Sequence, residues 1–325
     1  MVLAAGLGTR LRPLTYEIPK PMVPVLDRPV MAHVLDLLAR HGIDEVIANL
    51  HYFPETITDY FGDRVTYSFE EELLGTAGGL RRCEDFFGGE TMLIVSGDSL
   101  TDIDLAALLE RHRSAGGIAT LAVKRVEDTR EYGVVLHDRD GRVTGFQEKP
   151  DPAEALSELG NCGIYVFEPE IFSYFPDRDF VDWAQDVFPA LLANDVPFFA
   201  YETDRYWSDV GTLEELREST FDALRGELQI ELAGEELRPG VHLGDGSTLF
   251  GEALLEPPVW IGRDVEIGAA VRLMGPVVVG DGARIDADVS LRESIVLPGT
   301  TVNEGAILIG AIAGHTGIVQ SLRQN

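Results

Sequence analysis

A chain of 325 residues has length for about two domains, and its 45% hydrophobic content can fill a core in each. Its formal net charge of −29 argues against nucleic acid and acidic membrane surfaces as partners, because both need a basic face to displace counterions. Two cysteines and seven histidines form neither a disulfide framework nor a zinc-binding spacing, no apolar run approaches the ~18 residues that span a bilayer, and no basic leader precedes the first strand, so the expectation is a soluble, cytoplasmic protein.

In chain order, a short first strand leads into Gly6-Leu7-Gly8-Thr9-Arg10, with Pro19-Lys20-Pro21 following ten residues after Arg10. Two glycines let backbone N–H groups approach phosphate oxygens, and an arginine and a lysine add cationic donors, so the stretch reads as a polyphosphate cradle. It is neither of the two commonest glycine loops, since Leu11 stands where a dinucleotide fingerprint needs its third glycine and no Gly-Lys-Ser/Thr follows. Only three residues of the chain are lysines, Lys20, Lys124 and Lys149. In so arginine-rich a chain, a lysine marks a place where a compact charge is wanted.

A helix is predicted over 29–40, stopped by Gly42, with buried strands over 45–50 and 91–96 and a helix over 105–113. This alternation predicts a doubly wound α/β layout. Residues 73–80, LLGTAGGL, read as a second glycine-rich turn, and Asp98 emerges at the carboxyl end of a buried strand, where ligands bind in open sheets. A hairpin is predicted from strands 133–137 and 143–148, ending in Glu148-Lys149-Pro150. A strand over 161–167 and a helix over 183–193 follow, then Asp209 just before a helix over 212–224 that Thr212 caps with Glu215 three residues on.

Beyond Pro239-Gly240 apolar residues recur every six positions: Leu243, Leu249, Leu255, Ile261, Ile267, Leu273, Val279, Ile285, Leu291 and Leu297, an interruption at Asn303, then Ile309. Val265, Val271, Val277, Val289 and Ile295 add a second register. A strict period of six belongs to a parallel β-helix with one hexapeptide per face, here of about four coils.

Residues 3–25, LAAGLGTRLRPLTYEIPKPMVPV, resemble the signature of the sugar-1-phosphate nucleotidylyltransferases, and the later motifs fall in the same order. The resemblance implies a Rossmann-like catalytic domain over 1–225, a linker over 226–240 and a left-handed β-helix over 241–325. It implies nucleotide contacts from Leu3, Ala5, Gly6, Gly8, Thr9, Gly75, Thr76 and Gly78, and sugar contacts from Gly133, Glu148, Asn161 and Gly163. Asp98 and Asp209 resemble the family's Mg2+ pair, a sensible set because magnesium takes few carboxylates beside phosphate oxygens and water. The implied reaction is attack of a sugar 1-phosphate on the α-phosphorus of a nucleoside triphosphate, with pyrophosphate leaving. Arg10 would steady the pyrophosphate, and Lys20 and Lys149 would hold the reacting phosphates against their repulsion.

The β-helix, the GTAGG loop and the lack of the glutamine that uridine-selective relatives carry at position 73 look most like mannose-1-phosphate guanylyltransferases, giving GDP-mannose from GTP. Glucose-1-phosphate thymidylyl- or uridylyltransferase is the alternative. Two other readings are a bifunctional nucleotidyl- and acetyltransferase, for which only His242 and His315 flank the hexads, and a non-catalytic regulatory subunit, against which the retained charged residues stand. The β-helix is expected to drive homo-oligomer formation or to restrain the catalytic domain.

Overall fold

In the computed structural model, which describes residues 1–315 and 317–320, the chain forms two compact units. The first comprises Met1–Leu7, Pro19–Pro21 and Val34–Asp209, and the second Gly8–Ile18, Met22–His33 and Val210–Asn325. The helix Leu213–Arg225, with which the sequence reading closes its first domain, thus clusters with the second unit.

Nine strands build the sheet of the first unit. Val2–Leu3 lies parallel between Ile47–Leu50 and Met92–Ser96, and Thr66–Phe69 extends that parallel side. The other side reverses direction: Leu159–Phe167 runs antiparallel to Met92–Ser96, to Ala119–Arg125 and to Gly133–His137. The sheet is therefore mixed, parallel on that first side, within the α/β layout expected from the sequence. The reason is the hairpin of Gly133–His137 with Val143–Glu148, which enters by a tight turn at Asp138 and leaves no crossover helix to restore a parallel direction. The core beneath is rich in aromatic rings: Trp183 stacks on Phe167 at 4.5 Å between centroids, and Phe188 stacks on Phe198 at 6.1 Å.

Residues 73–80 are not a free turn. Gly75–Arg82 is a helix that buries Ala77 and Leu80, an apolar pair at helical spacing.

In the second unit, three parallel ladders repeat along the chain. Val241 pairs with Val259 and Val259 with Val277; Thr248 pairs with Glu266 and Glu266 with Arg284; Leu254 pairs with Arg272 and Arg272 with Ser290. Each step is eighteen residues, or three hexads per coil. The expected inward residues Leu255, Ile261, Ile267, Leu273, Val279, Ile285 and Leu291 do form the core of the stack.

Past Leu291 the six-residue expectation fails by one position. Met274 pairs with Arg292, but Val277 pairs with Ser294, so that corner is one residue shorter. The inward positions become Val296, Val302 and Leu308 in place of Leu297, Asn303 and Ile309, and Ile309 is exposed. Asn303 is thus no interruption, because the core position beside it is Val302. Ile295, assigned from sequence to the second apolar register, instead joins an outward stripe with Trp260, Val278 and Ile312, all buried. Helix Leu213–Arg225 packs on this side of strand Arg272–Val279, and Arg217 Nη1 donates to Gly310 O at 3.2 Å.

Candidate active site

A cavity of about 300 Å3 opens in the first unit at the carboxyl ends of its parallel strands. Leu3, Ala5 and Gly6 form one wall, following the first strand. Leu73, Gly75 and Thr76 form a second at the start of the helix Gly75–Arg82. Asn49 and Glu70 close the back, Ser96 and Asp98 the floor, and Phe180 and Asp182 a third wall.

A buried brace joins the first two walls. Asn49 Oδ1 accepts from Ala4 N at 3.0 Å, and its Nδ2 donates to Glu70 Oε1 at 2.7 Å. Glu70 Oε2 accepts from Leu74 N at 3.1 Å. Both side chains are almost wholly buried, and unmade hydrogen bonds there would cost about 1–3 kcal/mol each. Each therefore fixes its segment in place.

The third wall is a strap, residues 176–183, clamped to the helix Gly75–Arg82. Val181 N donates to Leu74 O at 2.8 Å, and Val181 O accepts from Ala77 N at 2.9 Å and Gly78 N at 3.1 Å. Thr76 Oγ1 donates to Asp182 Oδ2 at 2.9 Å, while Arg81 reaches the carbonyls of Pro176 and Arg178. Gly78 is buried beneath the strap; a Cβ there would come within 2.6 Å of Asp179 O. Gly78 therefore does not line the cavity with Gly75 and Thr76, and its lack of a side chain lets the strap approach.

On the floor, Lys20 Nζ lies 2.6 Å from Asp98 Oδ2, so two residues 78 positions apart meet as the sequence reading requires. Asp98 Oδ1 is buried and accepts no hydrogen bond. Strand Trp207–Ser208, which Asp209 follows, pairs antiparallel with Leu100–Thr101, Ser208 opposite Leu100. Among the described residues no group of three or more His, Cys, Asp or Glu side chains could hold a metal. A buried carboxylate oxygen with no hydrogen-bond partner is an acceptor of the kind a magnesium ion takes alongside phosphate oxygens and water.

The expected sugar residues sit on the antiparallel side. Strand Leu159–Phe167 bulges between Asn161 and Tyr165, where Gly163 takes φ 67°. Gly163 N donates to Asn161 Oδ1 at 3.2 Å, and Asn161 Nδ2 to Tyr165 Oη at 2.8 Å, which turns the strand at the edge of the site. A Cβ on Gly163 would stand 2.8 Å from Ser96 Oγ on the cavity floor. Desolvation raises the Glu148 pKa above the usual carboxylate range; Lys149 opposes the shift and the charge of Asp182 adds to it. Asp182 itself lines the cavity. Gly133 packs against Phe146 and Glu148, and Lys149, at φ 46°, donates its amide to Tyr132 O at 3.2 Å.

Gly8, Thr9 and Arg10 belong to the second unit, where Gly8, at φ 62°, precedes the 3-10 turn Thr9–Leu11 and its carbonyl accepts from Thr15 Oγ1 at 2.7 Å. Sequence reasoning missed Asn49, Ser96, Phe180 and Asp182. One signal was available: Asn49 is the only polar residue in the buried strand Ile47–Leu50.

A family model described as nucleotidyl transferase matches residues 1–225. A UTP–glucose-1-phosphate uridylyltransferase of Synechocystis is 37% identical over 95% of this chain and 85% of its own length. A mannose-1-phosphate guanylyltransferase of Mycobacterium tuberculosis is 38% identical over 88% of this chain and 81% of its own. The solved structure of HddC from Yersinia pseudotuberculosis superposes with a TM-score of 0.59 at 26% identity, covering 67% of this chain and 96% of that one.

Proposed function

Since the chain belongs to the nucleotidyl transferase family and is a sugar-1-phosphate nucleotidyltransferase, we propose that it joins GTP to mannose 1-phosphate, giving GDP-mannose and pyrophosphate. The observation that carries the reading is the Lys20–Asp98 pair, whose aspartate lines a cavity walled by both glycine-rich segments. Guanine is supported by Glu70, a carboxylate acceptor in the cavity wall suited to N–H donors of a base edge, by Leu73 where uridine-selective relatives carry glutamine, and by the name of the mycobacterial relative.

Lys20 holds the triphosphate at the cavity floor, and Lys149 holds the sugar phosphate, so two anions meet against their repulsion. The sugar phosphate is already an anionic nucleophile near neutral pH, and no general base is needed. Its oxygen attacks the α-phosphorus while Arg10, by its place in the signature, steadies the departing pyrophosphate. Glu148 and Asn161 take the hexose hydroxyls, with Gly133 and Gly163 leaving room for the ring. Asp98 and Asp209 would hold magnesium, which when bound neutralises charge on the phosphate oxygens. The stacked coils are read as a left-handed β-helix that serves self-association.

A second reading, UTP with glucose 1-phosphate, is favoured by the Synechocystis relative, whose match spans 95% of the chain. A matrix of five nucleoside triphosphates against the 1-phosphates of mannose, glucose, galactose and N-acetylglucosamine, read by pyrophosphate release, separates the two. GTP with mannose 1-phosphate is expected to be turned over fastest; preference for UTP with glucose 1-phosphate would replace the first reading with the second.

A further inference from the structure

Phe180 is half exposed, at 51%, yet it lines the cavity, and no other aromatic ring packs on it among the described residues. Exposure of a single apolar side chain needs no explanation by itself; what sets Phe180 apart is that its ring lines the cavity. Here the backbone beneath it is held on both sides. Val181, the next residue, is fully buried and makes three backbone hydrogen bonds to the start of the helix Gly75–Arg82. Asp182 caps its own following turn through Ala184 N and Gln185 N while accepting from Thr76. Arg81 grips the carbonyls before it. So rigid a mount under an exposed ring is what an aromatic contact for a ligand requires, because the ring is ordered before the ligand arrives.

We propose that Phe180 is a substrate-contacting residue whose ring forms the stacking wall of the nucleotide cavity, against which the base of the nucleoside triphosphate lies flat. The proposal rests on the cavity being the nucleotide site. The base is favoured over the hexose because the strap is tied to Leu74, Thr76, Ala77 and Gly78, in the segment to which that reading assigns nucleotide contacts, whereas the sugar residues Glu148 and Asn161 stand on the strands Val143–Glu148 and Leu159–Phe167. Every base presents a π face, so the ring contributes affinity to any triphosphate, and Glu70 behind it supplies the choice among bases.

The test compares wild type with Phe180→Ala, Phe180→Leu and Phe180→Tyr in the full chain, with thermal unfolding recorded for each. The triphosphate is the one that wild type uses best in the substrate matrix, and two readouts are taken: KM for triphosphate and sugar 1-phosphate varied separately, and equilibrium binding of the triphosphate without sugar. Phe180→Ala and Phe180→Leu are expected to raise the triphosphate KM and the dissociation constant by about tenfold or more, leaving kcat and the sugar KM within about twofold. Phe180→Tyr is expected to restore both. Unchanged triphosphate binding in the alanine and leucine variants overturns the proposal, as does a rise confined to the sugar KM, which would assign the ring to the hexose. A wild-type chain that turns over no pair in the matrix overturns the functional reading itself and this inference with it, an outcome distinct from active enzyme indifferent to position 180.

Discussion

In the coils of the second unit each inward residue meets its counterpart one coil on, eighteen positions away in most steps, whereas the walls of the cavity in the first unit are joined by hydrogen bonds spanning 21, 45 and 106 positions. Repetition makes the coils redundant, since many equivalent apolar contacts share the load. The cavity has no such redundancy: each brace occurs once and fixes one segment. Damage to the coils should therefore appear as lost stability, and damage to the cavity chiefly as lost substrate handling.

The largest effect is expected in the coils. Leu273 is fully buried between neighbouring coils, and Leu273→Ala should lower the unfolding free energy by about 2–5 kcal/mol in denaturant titration. A loss below about 1 kcal/mol would mean that the stack can collapse around a void. Next, Lys20→Ala should slow turnover by roughly 10²-fold or more through loss of a preorganised cation, while its unfolding midpoint stays close to wild type. Equal loss of stability and rate would blur the contrast between the two regions.

Glu70→Gln is a finer probe. An amide cannot accept from both Asn49 Nδ2 and Leu74 N as the carboxylate does, so one buried donor loses its partner. The KM for triphosphate should rise by about tenfold while the KM for sugar 1-phosphate changes little, and a parallel rise of both would deny the brace its selectivity. The smallest effect belongs to Thr212→Ala, which removes the Oγ1 that accepts from Glu215 N at 3.1 Å; thermal unfolding should report a loss of about 1 kcal/mol with unchanged kcat.

The same contrast governs what the sequence makes legible. Spacing alone locates the coils up to Leu291, because a core position recurs wherever the chain returns to the same face. It fails where the corner near Glu293 drops one residue, a local change in backbone that leaves no gap in the apolar pattern and makes exposed Ile309 look like core. In the first unit, Lys20 and Asp98 are legible as chemistry, and the structure brings them together at 2.6 Å. The hairpin at Asp138 is legible too, but the antiparallel placing of Leu159–Phe167 between Met92–Ser96 and Ala119–Arg125 is not, because it depends on which distant strands meet rather than on composition. Asn49 and Phe180 escape for another reason: a brace or a mounted ring is defined by its partner, and those partners lie far along the chain.

The most direct test of the central claim is sugar-1-phosphate-dependent release of pyrophosphate by wild type and by Asp98→Asn, with triphosphate binding measured alongside. The account predicts that wild type releases pyrophosphate in step with nucleotide-sugar formation and that Asp98→Asn loses at least about 10²-fold in rate while still binding the triphosphate. Asp98→Asn turning over at the wild-type rate would contradict it.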